Sequence, residues 1–238
     1  MLARFLPLFI LLLIAVPASV WTGKLTLPAA LVGGAIGILV FAGAGYSGLG
    51  MLAAFFILGT AATSWQWEKK ARDQLQERNK GKRTTGQVIA NGGVAALCGL
   101  GAIALPVKAS SFHLMMACSL SAATADTLSS ELGMTYGTRF YSIRNFGRGT
   151  KGQNGVISWE GTALGTAGSF IIAGIYALGF GWNSLVLVVI VSGLVGNLID
   201  SVLGAVLENR GYLSNDAVNF LSTLCGAAVG GLLSAFVH

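Results

Sequence analysis

Apolar residues fall in eight runs separated by short polar stretches, at about 2–20, 27–43, 49–65, 86–105, 112–132, 162–178, 185–207 and 217–237. Each run is ~17 to 23 residues long, enough for a helix to cross ~30 Å of hydrocarbon. The pattern predicts an all-α polytopic membrane protein with about eight transmembrane helices, forming a single transmembrane domain over 1–238. Two polar stretches are more than turns, at about 66–85 and 134–160. They read as basic cytoplasmic loops.

Composition agrees with the pattern. Hydrophobic residues make up 54% of the chain and charged residues 10%, against ~25% charged in an average soluble domain. Glycine supplies 34 residues, as expected where helices approach backbone to backbone in lipid. Small-residue spacings occur at Gly33/Gly37, Gly161/Gly165 and Gly226/Gly230. Cys98, Cys118 and Cys225 each stand alone in an apolar run, with neither pairing nor metal-ligand spacing.

Charge sets the expected orientation. With both termini outside, the inner loops hold all of the 15 basic residues except Arg4 and Lys108, in keeping with the positive-inside rule. The net charge of +6 therefore reflects orientation and anionic lipid, and no nucleic-acid partner is expected. V-P-A at 16–18 resembles a signal-peptide cleavage site, but losing the first span would invert both basic loops. The expected location is the cytoplasmic membrane, with any site on the inner face. The Trp residues at 21, 65, 67, 159 and 182 fit an interfacial belt.

The first inner loop reads E-K-K-A-R-D-Q-L-Q-E-R-N-K-G-K-R, and its Glu68/Arg72 and Asp73/Glu77 spacings suit a short surface helix. Lys82 and Arg83 close it, just before a span that starts with Gln87 and Asn91. The second contains R-N-F-G-R-G-T-K-G-Q-N-G, with Arg148, Lys151 and Asn154 among its glycines. It is not a Walker A loop, yet it offers backbone N–H groups and cations to phosphates.

Against this background the acids stand out. A-A-T-A-D-T-L-S-S-E-L-G at 122–133 sets Asp126 and Glu131 in the end of an apolar span, and G-N-L-I-D-S-V-L-G at 196–204 sets Asn197, Asp200 and Ser201 in another. An acid in mid-membrane costs ~2.5 to 3.5 kcal/mol on insertion scales, so it marks a functional candidate. The expected topology brings Asp126, Glu131, Asn197, Asp200, Gln87 and Asn91 to one depth near the inner face. Asn197 and Asp200 share a helix face. Such a set suits Mg²⁺ bound to substrate phosphates, which takes one or two carboxylates from the protein, with Asp126, Glu131 and Asp200 as the metal-binding and catalytic candidates. His113 lies near the outer end of its span and His238 is terminal, so transfer to an already anionic acceptor is favoured over general-base chemistry.

Structural readings compete at each position. Asp126 and Asp200 would pair with Arg139 or Arg210; Glu131 would sit in helix-end solvent; Asn91 would bond between helices. Asp216 reads as an N-cap, and Glu160 as either a cap or a catalytic group.

Four motifs in order, Q-V-I-A-N-G-G at 87–93, A-D-T-L-S-S-E-L-G at 125–133, G-R-G-T-K-G-Q-N-G-V-I-S-W-E-G-T at 147–162 and I-D-S-V-L-G-A at 199–205, resemble the integral membrane family that includes the phytyl-phosphate kinase of tocopherol synthesis. The chain is also distantly similar to dolichol kinases and phosphatidate cytidylyltransferases. The resemblance implies phosphorylation of an isoprenoid monophosphate lipid by a nucleoside triphosphate, with CTP the expected donor. It implies Asn91, Asp126, Glu131 and Asp200 as metal and nucleotide residues. Lys82, Arg83, Arg148 and Lys151 become phosphate contacts, and Asn154 and Ser201 line the nucleotide and phosphate site. A CTP-dependent lipid cytidylyltransferase and a cation-coupled transporter are the alternatives; a transporter site would lie near the bilayer midplane.

Overall fold

The computed structural model describes residues 2–66 and 82–237, with side chains from Phe5 onward. The expected surface helix and Trp67 lie outside the described residues. The described chain is mostly helical: α1 (Leu2–Trp21), α2 (Leu27–Ser64), α3 (Thr85–Ala104), α4 (Ala109–Tyr136), α5 (Trp159–Phe180), α6 (Leu185–Leu203) and α7 (Asn215–Ser234). Five of them, α2, α3, α5, α6 with the turn after it, and α7, are long and apolar enough to cross a membrane. Exposed Leu13, Leu178, Leu187 and Leu232 cover the outside, which in water would be an association surface and in lipid is an ordinary one.

α2 joins two of the expected spans. Its 38 residues are broken at Gly45, where φ is 64° and ψ is −150°, a conformation open to glycine. Lys24 Nζ, at the start of α2, donates to Ser64 Oγ at its end over 2.7 Å. The two arms therefore lie side by side, with the turn at Gly45 far from that pair. His113 hydrogen-bonds the Gly43 carbonyl over 2.8 Å and stacks on Phe180, so the turn, the start of α4 and the end of α5 share the far end of the bundle. α1 packs along the first arm through Phe5 on Phe41, Leu12 on Gly37 and Val16 on Gly34.

α4 is the hub, packed by α2, α3, α5, α6 and α7. Every residue from Met116 to Ala125 is buried, and most are small. Glycines on its neighbours make the close approach possible: a Cβ on Gly165 would lie 2.5 Å from the Ala125 carbonyl oxygen, and one on Gly226 would lie 2.8 Å from the Ala122 Cβ. A Cβ on Gly193 would overlap Ser121 and Ser169.

One departure from an all-helical chain is local. Tyr141–Ser142 and Val156–Ile157 pair as a two-residue antiparallel ladder, Tyr141 opposite Ile157. It gathers the loop between α4 and α5 into a hairpin beside the end of the one and the start of the other.

Candidate active site

Three local devices bring polar groups to one end of the bundle. The first is at α3. Thr84 and Gln87 form a capping box, the Thr84 N–H donating to Gln87 Oε1 over 2.8 Å. Just before it, Arg83 is pinned to the chain ahead of α2: its N–H donates to the Lys24 carbonyl over 3.0 Å, and its own carbonyl accepts from the Thr26 N–H over 3.2 Å. The guanidinium then crosses the second arm of α2, against Gly59 and 5.2 Å from the Phe55 ring centre.

The second device is at the end of α6. Beyond Leu203 the helix widens to a π turn, Gly204–Glu208, closed by Asn209 N–H on the Gly204 carbonyl at 3.1 Å. Such turns recur at functional sites. Here Asn197, Asp200, Ser201, Gly204 and Glu208 all face one cavity.

The third is the docked loop. Gly155 has φ +76°, and a Cβ there would lie 2.9 Å from both the Ala205 Cα and the Ser201 carbonyl oxygen. Asn209 donates to the Asn154 carbonyl over 3.2 Å. The Gly-rich loop is thus seated on the helix that carries Asp200.

Together these enclose a polar cavity of about 330 Å³. Asp126, Glu131, Asp200, Asn91, Asn154, Ser201 and Arg83 line it, with Gln87, Asn197, Glu208, Asn215 and Asn219. Asp126 and Asp200 lie within hydrogen-bonding reach of one another, and the other charged groups that bear on Asp126 are Glu131 and Glu208. All are acidic. The Asp200 Oδ2 atom is buried with no hydrogen-bond partner. Arg139 and Arg210 are exposed and do not bear on either Asp, so the buried pairs with those arginines do not form. Asn91 donates within its own helix, to the Gln87 carbonyl over 2.9 Å, rather than between helices.

Among the described residues, Lys82, Arg148 and Lys151 are not in the cavity wall. Lys82 reaches toward Gly23, and Arg148 is exposed on the hairpin opposite Tyr141. Two flanking acids have structural partners. Ser214, not Asp216, caps α7, accepting from the Ala217 N–H over 3.3 Å; Asp216 packs on Gly86. Ser158 caps α5, while Glu160 accepts from the Thr138 hydroxyl over 2.6 Å and clasps the loop.

Sequence comparison decides the family. The Integral membrane protein DUF92 family matches residues 9–227. The chain belongs to this family. The chain is 34% identical over 199 residues to an uncharacterized membrane protein of Methanocaldococcus jannaschii, covering 83% of this chain and 81% of that one. It is 30% identical over 209 residues to Protein VTE6, chloroplastic, of Arabidopsis thaliana, covering 85% of this chain but 63% of the plant protein. An uncharacterized membrane protein of Synechocystis is 29% identical over 203 residues, covering 82% of this chain and 76% of its own length. No solved structure matches the chain.

Glu208 and Asn219 escaped the sequence reading of this DUF92 chain. Glu208 had a signal, since it lies eight residues after Asp200 and so near the same helix face. Asn219 had none, because a polar residue one turn into a helix is ordinary.

Proposed function

We propose that this DUF92 protein is a membrane-embedded kinase that transfers the γ-phosphoryl group of a nucleoside triphosphate, CTP by preference, to an isoprenoid monophosphate such as phytyl phosphate. The observation that carries the reading is the cavity itself: two carboxylates within reach of each other, Asp126 and Asp200, in one wall with Glu131, Glu208, Arg83, Asn154 and Gly155. The kinase resemblance rests on motifs lying within the stretch that matches DUF92.

Mg²⁺ fits the donor set. Asp200, Glu131 and Glu208 crowd Asp126 with like charge, and Asp200 Oδ2 lacks a hydrogen-bond partner. Among the described residues no group of three His, Cys, Asp or Glu side chains could hold a metal ion, so the expected trio Asp126, Glu131 and Asp200 does not gather as one set of ligands; an ion held by one or two carboxylates would complete its shell with phosphate oxygens and water. Asp126 and Asp200 would hold it, with Glu131 alongside. Bound there, it would supply neutralisation of the triphosphate charge.

In the proposed reaction an oxygen of the acceptor phosphate attacks the γ-phosphorus. The bond from that phosphorus to the β,γ-bridging oxygen breaks, and the nucleoside diphosphate leaves with its electrons. The acceptor oxygen is already anionic, so no base is required. Arg83 meets the equatorial oxygens or the acceptor phosphate, and the docked loop holds the nucleotide by its backbone. Ser201 and Asn91 bind from the cavity wall, while Lys82, Arg148 and Lys151 add positive potential outside it. The reading also takes α1, the two arms of α2 and α3 to α7 as eight crossings, with the site facing the cytoplasm. Arg144→Cys, exposed on the loop, should then react with impermeant maleimide from the cytoplasmic side alone.

The deciding experiment incubates purified protein with α- or γ-labelled CTP, Mg²⁺ and isoprenyl monophosphates. Label should enter lipid from the γ position. Entry only from the α position makes the protein a cytidylyltransferase, and no lipid label from any nucleotide favours transport.

A further inference from the structure

A second cavity, of about 460 Å³, lies between α1, the two arms of α2 and α3. Its volume is within the ~300 to 1,000 Å³ of ligand sites. Its wall is almost wholly apolar. Gly33, Gly34 and Gly37 form part of one side, and Leu52, Phe55 and Phe56 face them from the other arm. The groove is not sealed from the bilayer, for Leu11 and Ile57 on its lips are 46% and 64% exposed.

Its course has a polar end and an apolar end. Lys24, Arg83 and Gln87 stand at the first; Leu12, Gly37 and Leu49 mark the second, toward the turn at Gly45. From Leu27 to Gly37 the helix rise is ~15 Å, about one leaflet of a ~30 Å hydrocarbon core. Arg83 and Gln87 also line the polar cavity. The two cavities therefore meet at those side chains.

The glycines explain why the space exists. A Cβ on Gly33 or Gly37 would come no closer than 3.8 Å to any neighbour, the Val88 and Leu12 methyls respectively, so these positions do not serve close packing. Bulk lipid fills any apolar groove equally well, because its tails are as apolar as leucine. Selection must come from the head. A chain lying here would put its head group beside Lys24 and Arg83, whose charge favours a phosphate over an alcohol.

We propose that this groove holds the hydrocarbon tail of the acceptor, a single-chain lipid monophosphate, with Arg83 as the junction between tail and reacting phosphate. The proposal rests on the kinase reading for the word acceptor, while the binding itself can be tested without turnover.

The full chain in phosphatidylcholine nanodiscs would be photolabelled with hexadecyl phosphate carrying a diazirine at the tail tip. Adducts should concentrate on Leu12, Gly37 and Leu49. Excess geranylgeranyl phosphate should displace them, and geranylgeraniol should not. Adducts spread evenly onto outward residues such as Leu187 and Leu232, or displaced equally by the alcohol, overturn the proposal. Gly37→Leu should fill the deep end and lower the ratio of long-chain to short-chain probe captured by about tenfold, the scale of a 1.4 kcal/mol overpacking penalty. An unchanged ratio also overturns it. Gly37→Ala reports whether the position tolerates substitution at all, and Leu52→Trp on the facing wall is the second variant should Gly37→Leu misfold. γ-Label transfer is measured in the same discs. Groove labelling without transfer defeats the kinase reading and leaves the groove; transfer without groove labelling defeats the groove alone.

Discussion

The half of the molecule around α4 and the half formed by α1, α2 and α3 use the same small-residue spacing to opposite ends. In α5 and α7, Gly161/Gly165 and Gly226/Gly230 press on α4, where an added Cβ would run into the backbone of 125 and 129 or the side chains of Ala122 and Cys118. In α2, Gly33/Gly37 meet only methyl groups at 3.8 Å and leave a groove. A glycine pair one helical turn apart thus makes a helix slim. Whether the slimness is filled by another helix or left for a ligand depends on what the partner brings. The candidate site lies where the halves meet, with Asp126 and Asp200 from the packed half and Arg83 and Gln87 from the open one.

That contrast predicts a graded set of effects. The largest falls on the packed half's acids. Asp126→Asn or Asp200→Asn should lower turnover at least ~100-fold, the scale of losing one preorganised electrostatic group. Wild type should gain melting temperature from Mg²⁺-CTP, as a native-state ligand must provide, and either variant should lose that gain. A variant that keeps it takes the mutated residue out of the proposed metal site.

Next come the glycines themselves. Gly165→Ala should cost ~1 to 3 kcal/mol in detergent melting, because its Cβ has only the Ala125 carbonyl and Ser129 to displace. Gly37→Ala should be neutral or stabilising by up to ~1 kcal/mol, since alanine is the better helix former. Equal losses at both positions would erase the distinction between the halves.

The loop comes third. Gly155→Ala puts a side chain at φ +76° and against Ala205, a strain of ~1 to 3 kcal/mol. Its expected signature is a several-fold rise in KM for the nucleotide with the bundle's melting temperature little changed. A matching drop in melting temperature would mean that the loop supports the bundle instead of the nucleotide. The smallest effect belongs to Thr138→Val, which removes the hydroxyl clasp on Glu160. Turnover should hold within about twofold, a few tenths of a kcal/mol; a tenfold loss would make Glu160 a functional acid.

The sequence by itself determined the depth of the acids. Apolar run length and the basic-loop bias are one-dimensional quantities, and a membrane converts them directly into position along the helix axis. That is why Asp126, Asn197 and Asp200 were legible as neighbours before any coordinates, and why the cavity lies at one end of the bundle. Rotation about the axis and the identity of each partner were not legible. Glu208 joins the site through a π turn against which the loop packs at Ala205. Asp216 lost the cap to Ser214 by two residues, a margin below what a turn-residue preference resolves. Lys82 and Arg83 are adjacent and equally basic, yet the backbone pairing with Lys24 and Thr26 turns only Arg83 into both cavities. Tertiary structure alone decided these, because burial and contact depend on what arrives from elsewhere in the chain.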